Sequence, residues 1–291
     1  MNIKTIFCIV CSLFICAVAQ TSMAQIGIRI ETNNKKYLRY EPVYVKVHLR
    51  NYSGHPLAFG KLKGLRGLLK FEVDAPAEGI ARRTDKSIPT IEGILLKPGA
   101  THEMKIRLSD YYNLNTPGQY KIMAYVEHPQ LPSAYQSNYA TFTVTEGITV
   151  WDRIVGIPDL ANLKNSDKIK SRTYRIVSIF NGKNKLFYLV IEDKQKIYTV
   201  KKIGYEMGGS VPKCEIDSLS RLHILQQLSS KIYAYFLFDI NGNQENREVY
   251  SKTNASPTLV RDPKTGSVIV AGGKRAKKNV DYSEDHDSPF E

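Results

Sequence analysis

The chain has 291 residues, with 41 Lys and Arg against 28 Asp and Glu for a formal charge of +13, and 42% of it is hydrophobic. Beyond the N-terminus no apolar stretch is long enough to span a bilayer, and the four cysteines are placed so that an intrachain disulfide scaffold is excluded. Length allows one large or two ordinary domains, each stabilised by core burial.

The first residues have the order of a secretory leader. Lys4 supplies the positive start, Ile6 to Val18 is apolar but for Ser12, and small residues follow at Ala17, Ala19, Ser22 and Ala24. This predicts a cleavable signal peptide over residues 1–24, cut after Ala24, with Ala19 as the alternative. The apolar run reaches only about 20 Å at about 1.5 Å per residue, short of a hydrocarbon core of about 30 Å. A lipid anchor on Cys16 would want a small residue before it, where Ile15 stands. Cys8, Cys11 and Cys16 leave with the leader, so Cys214 remains alone. Losing Lys4 leaves 40 basic residues against 28 acidic, a net +12. The expectation is a soluble exported protein, periplasmic or extracellular, whose surplus positive charge favours polyanionic neighbours such as acidic glycans.

Residues 25–147 carry strict period-two alternation. In Val43 to Arg50 the apolar Val43, Val45, Val47 and Leu49 alternate with Tyr44, Lys46, His48 and Arg50, the pattern of a half-buried strand. The pattern returns at His102–Leu108, Tyr120–Val126 and Ala140–Val144, with shorter strands expected at 26–30, 57–59, 69–73 and 91–96. Turn residues separate them at Asn51–Gly54, Lys97–Ala100 and Thr116–Gly118. Seven or eight short strands in this length predict an all-β, two-sheet sandwich. Tyr120, two residues after Gly118, resembles the tyrosine corner of immunoglobulin-like sandwiches, and Tyr40-Glu-Pro-Val-Tyr-Val resembles the second strand of such modules in exported bacterial proteins. The resemblance implies an immunoglobulin-like fold and brings no activity with it.

Residues 148–171 break the alternation and read as a linker, with Trp151 as filler at the junction and a helical turn or two at Pro158–Lys164. Residues 172–273 predict a second, hairpin-rich β-domain. Leu186–Ile191 and Ile232–Phe238 are apolar on both faces, as in a layer covered from two sides. Leu222–Leu228 reads as a strand, and residues 274–291 as a disordered tail.

No motif specifies catalysis. Ser210-Val-Pro-Lys213 with Lys264-Thr-Gly266 resembles the penicillin-binding acyltransferase pattern, but Pro212 and the flanking Gly208-Gly209 oppose the helix that chemistry requires. Asp239-Ile-Asn-Gly-Asn243 starts like a calcium loop but has Gln244 and Tyr250 where that loop needs Gly and Glu. Cys214 and His223 lack a third orienting group, and the histidines have no metal-ligand spacing. A non-enzyme without cofactor or metal is therefore expected, with no nucleic-acid partner. The candidate ligand-binding residues are Lys61, Lys63, Arg66 and Lys70 with the outward Tyr44 and Tyr125, aromatic faces for sugar rings beside cations for their acids. Further basic runs are Lys168 to Arg175 and Lys194 to Lys202. The expected function is binding or scaffolding at the cell envelope, with an acidic polysaccharide or envelope component as partner. The alternatives are a module binding another exported protein, as inhibitor or assembly partner, and an uncharacterised hydrolase.

Overall fold

Alternating apolar residues need a sheet face to bury them, and the chain supplies sheets throughout. A computed structural model describes residues 25–76, 79–157 and 170–283, and over these the protein is all-β with one 3-10 turn. The leader, the segment Pro158–Lys164 and the last eight residues lie outside the described residues. No helix among the described residues is long and apolar enough to cross a membrane.

In chain order the first strands are β1 (Ile26–Thr32), β2 (Lys36–Leu38), β3 (Tyr44–Asn51), β4 (Leu57–Phe59), β5 (Gly67–Ala75), β6 (Gly79–Ile80), β7 (Thr90–Ile91), β8 (Ile94–Leu96) and β9 (Thr101–Arg107). After the 3-10 turn at Leu108–Asp110 come β10 (Gly118–Glu127), β11 (Tyr135–Gln136), β12 (Ala140–Thr145), β13 (Ile148–Ile157), β14 (Lys170–Phe180), β15 (Lys185–Glu192) and β16 (Ile197–Tyr205). The remainder are β17 (Lys213–Ile216), β18 (Leu222–Gln227), β19 (Ile232–Phe238), β20 (Gln244–Ser251), β21 (Thr258–Arg261), β22 (Val268–Ala271) and β23 (Lys274–Arg275). The chain divides into two units. One takes Val43–Asn113 and Lys121–Thr141 with the chain up to Asn33; the other takes Asn34–Pro42, Leu114–Tyr120 and the chain from Phe142 onward.

In the first unit β3 lies between β1 and β9, antiparallel to both. Val45, Val47 and Leu49 are buried while Lys46 and Arg50 are exposed, as the alternation predicts. β5 pairs antiparallel with β10, setting Val73 against Ile122, Phe71 against Ala124 and Leu69 against Val126, all buried. Each large apolar side chain so buried contributes about 1.5–3 kcal/mol against exposure.

In the second unit β13, β14, β15 and β16 form an antiparallel meander, and β17, β18, β19, β20 and β23 form a second sheet. One face of the meander, with Tyr174, Ile176, Phe187 and Leu189, packs on Leu222, Ile224, Phe236 and Phe238 of that sheet. Its other face, with Val177, Ile179 and Tyr188, packs with Leu38. Coverage from both sides explains why Leu186–Ile191 is apolar without alternation.

Two expectations need correction. Ile148–Ile157 is not a connector but a ten-residue strand paired along β14 from Ile148↔Ser178 to Ile157↔Lys170. Gly147 makes the entry possible: its φ is +72°, and a Cβ there would stand 2.5 Å from the Val177 Cγ1. Trp151 opposite Ile176 packs against the inter-sheet core as expected filler. The stretch read as a tail begins with structure, since Lys274–Arg275 pairs with Ser251–Tyr250 of β20.

Candidate functional site

The site follows from how β5 is paired. Along one edge it has β10; along the other it has β7 only at Gly67–Leu68 and β6 only at Asp74–Ala75. Between those ends, loops serve its backbone. The Leu69 N–H donates to the Pro89 carbonyl at 3.0 Å, the Tyr112 hydroxyl donates to the Phe71 carbonyl, and the Ala81 N–H donates to the Val73 carbonyl at 2.7 Å. A cleft of about 140 Å³ lies beside the middle of β5. Leu69, Phe71, Ile88 and Pro89 give it apolar surface, Tyr111 and Tyr112 add rings, and Lys70 and Arg83 carry its charge.

The segment holding Arg83 is zipped to the tyrosine pair. Arg83 and Tyr112 form a β-bridge, flanked by Asn113 N–H to Arg82 carbonyl at 2.8 Å and Thr84 N–H to Tyr111 carbonyl at 2.9 Å. The Lys70 ammonium is engaged by both oxygens of Glu127, at 2.6 and 2.7 Å. Nearby Lys86 pairs with Asp110 at 2.7 Å and lies 5.3 Å from the centre of the Tyr111 ring. Among the described residues no carboxylate pairs with Arg83. Burial pushes the Tyr112 phenol up while the positive charge of Arg83 pulls against it, so the guanidinium lies within electrostatic reach of that hydroxyl.

Of the residues singled out in the sequence, Lys70 and Tyr125 face each other across β5 and β10. The Tyr125 hydroxyl donates to Glu72 at 2.7 Å, so both side chains hold carboxylates. Lys61, Lys63 and Arg66 are exposed on the turn leading into β5, with the Arg66 guanidinium donating to the Lys61 carbonyl at 3.1 Å. Tyr44 belongs to β3 in a different sheet, with the Lys105 ammonium 4.8 Å from its ring centre. Sequence reasoning missed Arg83, Tyr111 and Tyr112. Their one signal is a pair of doublets, Arg82-Arg83 and Tyr111-Tyr112, whose bridge only the fold reveals. In the later basic runs Arg172 pairs with Asp193 at 2.9 Å and Arg175 with Glu192 at 2.8 Å, while Lys168 lies outside the described residues.

The other constellations do not assemble. Cys214 is opposite Ile224 and Glu215 opposite His223, so the thiol and the imidazole lie on opposite faces of their sheet. Cys214 packs against the inter-sheet core, and burial pushes its thiol pKa up. His223, on the other face, accepts at Nδ1 from the Tyr235 hydroxyl at 2.8 Å and donates from Nε2 to Asp217 at 3.2 Å, the neutral tautomer this network assigns. Burial lowers its pKa against the pull of Asp217. Ser210 closes a turn on Met207 and Lys213 opens β17, so no helix brings them together. The Asp239 carboxylate takes the N–H groups of Asn241 and Asn243 and the Asn243 amide, each at 2.8 Å, which makes the segment a hairpin turn. Among the described residues no cluster of three metal-ligating side chains exists.

No family model and no curated protein matches the chain. Two solved structures share part of its course. One is the alkylpurine DNA glycosylase AlkC of Pseudomonas fluorescens bound to DNA, at 11% identity and a TM-score of 0.26, over 45% of this chain and 33% of that one. The chain thus spans about a third of the glycosylase. The other is Spo0M, a sporulation control protein of Bacillus subtilis, at 7% identity and a TM-score of 0.27, over 58% of this chain and 80% of that one. At those scores neither likeness bears on fold or function.

Proposed function

We propose that the protein is an exported, non-catalytic binding module of the cell envelope that holds an acidic glycan in the cleft of its first unit. The observation that carries this reading is Arg83, a guanidinium without a carboxylate partner among the described residues, beside a cleft walled by tyrosine and apolar side chains. Ligand sites are concave and mostly apolar, with a few polar groups that fix orientation. An arginine meets a carboxylate through two parallel hydrogen bonds, which a lysine cannot do. Lys61, Lys63 and Arg66, exposed before β5, add long-range attraction for a polyanion.

An immunoglobulin-like fold for residues 25–147 is part of the proposal. Its support is the Tyr120 hydroxyl, which donates to the Thr116 carbonyl at 2.9 Å and accepts the Thr116 N–H at 3.1 Å, as a tyrosine corner does. A partner strand added to β13 has less support. That strand is bulged at Val150 and carries Asp152 beside Arg153, devices that discourage pairing at an edge.

Binding of the chain to a panel of acidic and neutral glycans across a salt series tests the proposal. Acidic glycans should bind, weaken steeply with salt, and lose at least about tenfold in affinity with Arg83→Glu. Absence of binding at low salt, or indifference to Arg83→Glu, contradicts it.

A further inference from the structure

We infer that the protein forms a two-fold dimer by pairing β9 of one copy with β9 of a second, antiparallel and centred on Met104. β9 ends its sheet, bonded along one edge to β3 in a register without a bulge. The phase of that ladder is set at its ends, where the Leu108 N–H donates to the Val43 carbonyl at 2.8 Å and the Asn51 N–H to the Ala100 carbonyl at 3.1 Å. Bonds alternate between these points, so the N–H and carbonyl groups of Thr101, Glu103, Lys105 and Arg107 point away from β3. Among the described residues none of these groups has a hydrogen-bond partner. Other edges differ. Asn138 caps β1 by accepting the Ile30 N–H at 2.9 Å and donating to the Ile30 carbonyl at 3.1 Å, while β13 and β16 are bulged. A free and regular edge is a template for another strand.

The side chains select the occupant and the register. Thr101, Glu103, Lys105 and Arg107 are exposed on one face, and His102, Met104 and Ile106 are half-buried on the other. Within its own sheet Lys105 stands opposite Lys46, its ammonium 4.8 Å from the Tyr44 ring centre, and no carboxylate among the described residues pairs with it. Glu103 meets His48 at 3.0 Å, and Arg107 holds Asp110 at 3.2 Å. A second copy of the edge can pair only odd residues against odd. Centred on Met104, the full length of the strand pairs: Glu103 of each copy faces Lys105 of the other, Thr101 faces Arg107, and the two Met104 side chains meet. Centred one residue earlier, Glu103 would face Glu103; one residue later, Lys105 would face Lys105. Either shift sets like charges directly opposite, which destabilises a strand pair. A lysine at a sheet edge ordinarily discourages pairing, but here the second copy brings the carboxylate that answers it. The strand is complementary to itself in its full-length register, as an isologous two-fold interface requires. No β9 residue lines the cleft, so the inference stands apart from the glycan reading.

The experiment is sedimentation equilibrium of the full chain at concentrations up to about 100 μM. The wild-type chain should dimerise. Lys105→Glu and Glu103→Lys each set like charges opposite at both ends of the dyad and should weaken the dimer at least about tenfold. The two variants mixed should form a heterodimer, because the acidic edge of one then faces the basic edge of the other. The double variant, Glu103→Lys with Lys105→Glu, should dimerise within about threefold of wild type. That recovery also shows the single variants to be folded. A chain monomeric throughout the range overturns the inference, as does a dimer indifferent to the single variants. Failure of both the mixture and the double variant to recover overturns the register centred on Met104.

Discussion

Glu41 shows how one carboxylate can tie pH to stability. Its Oε2 accepts the Leu38 N–H at 2.8 Å and its Oε1 accepts the Tyr188 hydroxyl at 3.1 Å, closing a turn in which Tyr40 has a φ of +68°. Burial raises its pKa to about 7, against hydrogen bonds from Leu38 and Tyr188 and the charge of Lys202 that pull it down. The unfolded chain releases this proton near pH 4.5, and the folded chain holds it to about 7. The folded state therefore binds more protons between those values, and stability falls as pH rises through them. The loss is on the order of 3 kcal/mol. Urea unfolding from pH 4.5 to 7.5 should show this decline, and Glu41→Gln should flatten it; an unchanged slope in the variant would refute the assignment. Tyr120→Phe gives a second residue-scale expectation. Losing both bonds to Thr116 should cost about 1–2 kcal/mol by denaturant unfolding, and a neutral result would remove the corner as a stabilising feature. Tyr120 was legible in the sequence because Thr-Pro-Gly precedes it. Glu41 was not, because its partner Tyr188 lies 147 residues away.

At the scale of elements, register decides which chemistry is available. Placing Cys214 opposite Ile224 buries the thiol against the inter-sheet core. Cys214 should therefore resist thiol reagents in the native state and react at once in denaturant; rapid native labelling would mean the register is wrong. On the opposite face, Asp217 binds Arg221 at 2.7 Å and His223 at 3.2 Å, with His223 also held by Tyr235. His223→Ala removes a bond from Asp217, which keeps Arg221, and one from the Tyr235 hydroxyl, and should cost about 1–3 kcal/mol, measured by thermal or denaturant unfolding. Most strands here were legible from alternation or from short apolar runs between turn residues. β13 was not: its bulge at Val150 shifts the phase, and its apolar residues are split, with Val150, Trp151 and Val155 packed on the core while Ile148 and Ile154 are over 70% exposed. β6, β7 and β11 are two residues each and carry no periodicity to read.

For the molecule as a whole, the count of 41 basic residues overstates the cations free to meet a ligand. Arg39, Lys70, Lys86, Arg172 and Arg175 all hold carboxylates. The sequence could count charges but not pair them, which is why Lys70 stood out while Arg83 did not. The all-β architecture was visible because it depends on local alternation; the cleft was not, because it depends on where β6 and β7 stop along β5. Hydrogen–deuterium exchange with and without an acidic oligosaccharide locates the ligand on the chain. Glycan in the cleft adds protection confined to residues 69–71, 83–89 and 111–112, absent in Arg83→Glu. Protection centred elsewhere, or none at saturating ligand, would contradict it.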